Sequence, residues 1–74
     1  MGGGNKVNKR DWLIQRRVEQ GYTQKDLAKK LNVSNRTISK VELGLGNPSG
    51  QLAVKWAMVL GFDMTYFYIN QKSA

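Results

Sequence analysis

The sequence predicts a compact all-α domain, and three observations carry the prediction. Seventy-four residues make one small domain, with too little chain for a large core or a deep cleft. Helix-start signals recur at Asn8, Thr23, Ser34 and Ser49, each offering a side-chain oxygen to the free N–H groups of a first turn. Between them the apolar residues fall at helical spacing, most cleanly where Leu27, Ala28 and Leu31 alternate with Lys25, Lys29 and Lys30.

The first helix is expected from about Lys9 to Gln20. Asn8 is its cap, Asp11 stands at the third helical position, and Val7 staples to Trp12. Gly21 ends it by supplying a left-handed conformation. Its inward stripe reads Leu13, Arg17 and Gln20, helped by Trp12 or Val18, and an inward arginine wants a carboxylate partner.

The second helix spans about Gln24 to Leu31. Thr23 with Asp26 forms a capping box, and Tyr22 with Leu27 a staple. Ala28 is small enough to let another helix cross closely. Asn32, acceptable in a left-handed turn, and Val33 link it to a third helix from about Asn35 to Leu43, where Ser34 caps and Ile38 and Val41 share one face. Helix four starts after Ser49 and runs to about Leu60, with Ala53, Trp56, Ala57 and Leu60 inward. Gly50 weakens its start and opens space that Trp56 is expected to fill.

The charge is unevenly placed. Twelve basic residues face five acidic ones, and ten of the twelve lie in the first forty residues against three acidic ones there. A basic excess confined to one half implies a surface that meets a polyanion, although a solvated basic face would also produce it. The outward residues of helix three decide between these. Asn35, Arg36, Thr37, Ser39 and Lys40 offer an amide, a guanidinium, two hydroxyls and an ammonium, which match base edges and phosphates.

These residues also carry a resemblance. Gly21-Tyr22-Thr23-Gln24, Leu27-Ala28, Val33-Ser34, Thr37-Ile38-Ser39, Glu42, Gly44, Asn47-Pro48-Ser49, Lys55, Ala57 and Leu60-Gly61 resemble the phage-repressor (lambda-repressor-like, Cro/repressor-type) helix-turn-helix family, over about residues 9 to 62. The resemblance implies a four- to five-helix domain whose second and third helices form the helix-turn-helix. It implies base contacts from Asn35, Arg36 and Lys40, base or phosphate contacts from Thr37 and Ser39, and a phosphate contact from Gln24, which also braces the recognition helix; the basic residues of helices one and two, Arg16 and Lys25, would add phosphate contacts. It further implies a buried ion pair between Arg17 and Glu42. Leu43, Leu45 and Gly46 replace the polar residues usual after the recognition helix, so a phosphate contact there would rest on backbone N–H groups.

The last apolar run, Phe62 to Ile69, alternates Met64, Tyr66 and Tyr68 against Thr65, Phe67 and Ile69, a pattern that suits a strand. Lacking a partner in its own chain, such a strand would pair across a two-fold axis. The DNA-binding antitoxin subunits of persistence-type toxin and antitoxin pairs look similar in helix four and end in such an intertwined strand. Met64, Tyr66, Phe67, Tyr68 and Ile69, with Leu52, Met58 or Val59, would then form a homodimer interface. A short fifth helix capping the monomer core is the alternative.

The organisation expected is a flexible leader over 1–7, a DNA-binding domain over 8–62, a dimerisation segment over 63–70 and a tail over 71–74. The expected partners are double-stranded DNA and a second copy, and a toxin if the protein is chiefly an antitoxin. With no histidine or cysteine and scattered carboxylates, neither an enzyme nor a metal site is expected, and no cofactor or small-molecule ligand. No run reaches the length of a membrane span and no apolar signal core is present, so a cytoplasmic location is expected. A membrane-surface peptide is disfavoured because caps and Gly21 interrupt the basic stretches.

Overall fold

The computed structural model describes residues 9–69. Five helices follow one another: α1 (Asp11–Glu19), α2 (Gln24–Leu31), α3 (Asn35–Glu42), α4 (Gly50–Leu60) and α5 (Tyr66–Ile69). No strand occurs among the described residues. The expected Asn8 cap, the Val7 staple, the leader and the tail lie outside them.

Helix α1 starts two residues later than the spacing suggests, and the cause is tertiary. The Arg10 N–H donates to the Glu42 carbonyl at 2.8 Å, which holds residue 10 outside the helix as an N-cap that makes no side-chain capping bond. The inward stripe is also narrower than expected. Leu13 is fully buried and Arg17 partly so, but Gln20 and Val18 are exposed. Gly21, at φ +80°, turns the chain, and the Tyr22 N–H closes the helix on the Arg17 carbonyl at 3.1 Å.

The next two helices start as their caps dictate. Thr23 Oγ1 accepts from the Asp26 N–H at 3.0 Å while Asp26 Oδ2 accepts from the Thr23 N–H at 3.1 Å. Asn32 takes the left-handed conformation at φ 59°, letting the Val33 N–H reach back to the Ala28 carbonyl at 2.9 Å. Ser34 Oγ then accepts from the Thr37 N–H at 3.1 Å and starts α3.

The core collects Leu13, Leu27, Ala28, Leu31, Ile38, Val41, Ala53, Trp56, Leu60 and Phe67. Trp56 is wholly buried, yet a Cβ built at Gly50 would meet nothing within 4 Å. The space Gly50 leaves is therefore open and is not what Trp56 fills. The indole instead packs edge-on to Phe67, with centroids 5.7 Å apart.

Phe67 also corrects the expectation for the C-terminal run. Asp63 Oδ1 accepts from the Thr65 N–H at 3.0 Å and from the Thr65 hydroxyl at 2.8 Å, and the Tyr66, Phe67 and Tyr68 N–H groups bond the carbonyls three residues back. This turn makes α5 a helix. The aromatic residues meet the partners a strand would need inside their own chain, since Phe67 lies 5.6 Å from Trp12 and 5.5 Å from Phe62. Helical spacing sends Met64 and Phe67 inward and leaves Tyr66 and Tyr68 exposed. The intersubunit strand over 63–70 is thus replaced by a turn and α5, with Asn70 outside the described residues.

Candidate nucleic-acid interface

Helix α3 divides sharply between what it buries and what it presents. Ile38, Val41 and Glu42 are buried, whereas Asn35, Arg36 and Lys40 are exposed and Thr37 and Ser39 half-buried. Arg36 and Lys40, four residues apart, stand on one face and line a shallow groove with Ser39, Leu43 and Leu45. Thr37 is partly committed, its hydroxyl oxygen lying 3.1 Å from that of Ser34 in the cap.

The buried side of α3 is held by its last residue. Arg17 Nε donates to Glu42 Oε2 at 2.6 Å and Arg17 Nη2 to Glu42 Oε1 at 3.3 Å. Gln24 Nε2 donates to the same Oε1 at 2.9 Å, and Arg17 Nη1 to the Tyr22 carbonyl at 3.0 Å. With only 2% of its side chain exposed, Glu42 depends on these donors to stay paired. Gln24 therefore braces α3 through its amide.

A second arginine, to which the sequence assigns no role beyond its charge, grips the backbone beyond α3. Arg10 Nη1 donates to the Val41 carbonyl at 2.7 Å and to the Gly46 carbonyl at 3.1 Å, and Nη2 donates to Asn47 Oδ1. Its guanidinium carbon lies 5.7 Å from the Phe67 ring centroid. Burial draws its pKa below the ordinary arginine value, with the Tyr68 charge opposing. The planar fork reaches two carbonyls and an amide at once, which a lysine could not.

The loop after α3 departs from expectation at Leu43 and Leu45, two of the three positions expected to offer backbone donors. The Leu43, Gly44 and Leu45 N–H groups bond the Ser39, Val41 and Lys40 carbonyls at 2.9, 3.0 and 3.0 Å. None of the three is left for a phosphate. What the loop presents outward is apolar, with Leu43 40% and Leu45 57% exposed.

Arg16 is turned elsewhere. Its guanidinium carbon stands 5.8 Å from the Phe62 centroid and 5.7 Å from that of Tyr66, and Nη1 is 3.4 Å from the Gly61 carbonyl. These contacts place it at the α4–α5 corner and do not bring it to the α3 face. Lys25 is exposed at the start of α2, as are Lys29 and Lys30 further along, and the Lys30 ammonium lies 5.9 Å from the Tyr22 centroid.

A family model described as helix-turn-helix matches residues 13–67, from within α1 to within α5. The chain belongs to this helix-turn-helix family. Members of the lambda-repressor type dock the second helix of the motif in the major groove. The chain is similar to YqaF, an uncharacterized HTH-type transcriptional regulator of Bacillus subtilis, at 36% identity over 80% of this chain and 78% of that protein. A second relative, of Methanocaldococcus jannaschii and likewise an uncharacterized HTH-type transcriptional regulator, is 43% identical over 74% of this chain and 83% of its own. A third, of Archaeoglobus fulgidus and similarly described, is 49% identical over 72% and 76%. No solved structure matches the chain significantly.

Among the described residues no group of three histidine, cysteine, aspartate or glutamate side chains could hold a metal ion. No helix among them is long and apolar enough to cross a membrane.

Proposed function

We propose that this protein is a sequence-specific, double-stranded DNA-binding transcriptional regulator, a repressor that acts as a dimer on an inverted-repeat operator. The observation that carries the proposal is the division of α3, which buries Ile38, Val41 and Glu42 while presenting Asn35, Arg36 and Lys40. Arginine donates bidentately to guanine O6 and N7, and asparagine pairs with adenine N6 and N7, so this face reads base edges. Thr37 and Ser39 add contacts at its margin, and Lys25 and Gln24 anchor phosphates. The names of the relatives support regulation of transcription as the outcome.

Dimerisation draws support from apolar surface away from α3. Met58 is 75% exposed, and Val54, Tyr66 and Tyr68 about 40% each, on α4 and α5. Phe67, buried in the core, contributes only by holding α5 in place. The alternative reading as an antitoxin keeps the likeness in helix four and loses the intertwined strand, whose place α5 takes.

In vitro selection of bound duplexes on the purified protein tests the proposal. A palindromic motif with half-sites about one helical turn apart is the expected result. Recovery of no preferred sequence would remove the assignment of α3 as a reader of bases.

A further inference from the structure

The two leucines beside the reading face have no role in the core. Leu43 and Leu45 are 40% and 57% exposed, yet they line one groove with Arg36, Ser39 and Lys40. Leu43 follows Arg36 by seven residues and Lys40 by three, which places it on the same side of the helix one turn on. An apolar pair flanked by two cations is a poor surface for water and a poor one for phosphate.

The backbone of Leu43 to Leu45 adds no donor. With the N–H groups of Leu43, Gly44 and Leu45 spent on the carbonyls of Ser39, Val41 and Lys40, this stretch has nothing to donate to an anion. The contact that Leu43 and Leu45 themselves can make with a duplex is therefore apolar. Arg36 and Lys40 fix the occupant by charge complementarity as DNA, and the apolar group that a duplex displays in its major groove is the C5-methyl of thymine.

We infer that Leu43 and Leu45 read a thymine C5-methyl group next to the bases contacted by Arg36 and Lys40. This rests on the DNA-binding reading above and adds to it a specificity contact made without hydrogen bonds. It makes the preference at that base pair depend on one methyl group. Cytosine methylated at C5 presents the same group and would partly replace thymine there.

The test uses the full chain and the duplex recovered by selection, with each thymine replaced singly by deoxyuridine, which lacks only the methyl group. Burial of one methyl group corresponds to roughly fourfold in affinity. The expected result is a loss of about that size at one position in each half-site, with other positions unaffected. Leu43→Ala/Leu45→Ala should bind the thymine duplex more weakly and lose nothing further with deoxyuridine. If the protein selects a site but no deoxyuridine position weakens it, the leucines meet sugar instead and the inference is overturned, while the DNA-binding reading stands. A deoxyuridine loss that persists in the double variant also overturns it. Failure to select any site removes both readings.

Discussion

Arg17 and Glu42 lie twenty-five positions apart and meet through two hydrogen bonds, the shorter 2.6 Å, with 12% and 2% of their side chains exposed. Glu42 is the last residue of α3, so this pair fixes the carboxyl end of that helix to α1. Gln24 adds α2 to the same carboxylate. Three helices converge on one side chain.

Truncating either partner strands a buried charge. Glu42→Ala and Arg17→Ala should each lose about 3 to 5 kcal/mol of stability in urea unfolding. A volume-matched apolar pair, Arg17→Met with Glu42→Leu, should lose less than the sum of its single changes. A double variant far worse than either single change would show that the two do not act as a pair.

Arg10 holds backbone, so its loss should act differently. Arg10→Met would leave the Val41 and Gly46 carbonyls and Asn47 without their donor, at a cost of about 1 to 3 kcal/mol. Arg10→Lys should recover little, because a point charge cannot reach all three acceptors. Faster amide exchange confined to the loop after α3 is the expected signature by NMR.

The reading face and the phosphate anchors should separate by sequence dependence. Arg36→Ala should cost about 1 to 3 kcal/mol of binding and relax preference at one base pair. Lys25→Ala should weaken all sequences alike and reduce the salt slope by about 1. Repeating the selection with each variant distinguishes the two.

Acid should loosen α2 through its cap. The Thr23 backbone N–H, then its hydroxyl, hold the Asp26 carboxyl below the usual aspartate value. A depressed folded-state pKa means that the stabilisation is present above the ordinary value, about pH 4, and is lost as pH falls through the folded value. The difference in melting temperature between the wild type and Asp26→Asn should be constant near neutrality and shrink towards zero below about pH 4. A difference that held to pH 2 would place the effect elsewhere.

Much of this fold was legible because its signals are local. The capping oxygens of Thr23, Ser34 and Ser49 each need only residues three positions away, and all three form their bonds. The C-terminal run misled because alternation and helical spacing fit eight residues almost equally well. Asp63 decides it, since its carboxylate starts a turn and the aromatic residues find Trp12 and Trp56. Arg10 was missed although its position carried a signal. Continuing the stripe of Leu13 and Arg17 one turn towards the N-terminus lands on it, but its partners lie more than thirty residues away.

The placement of Glu42 has a consequence for how such a molecule changes over time. The bonds that seat α3 come from its Ser34 cap, its buried side and its carboxyl end, while Asn35, Arg36 and Lys40 make no side-chain hydrogen bond among the described residues. Substitutions at exposed positions of this kind shift stability by no more than about 0.5 kcal/mol. Selection on them therefore acts almost wholly on what they touch outside the chain, and a lineage can acquire a new target while its scaffold stands still.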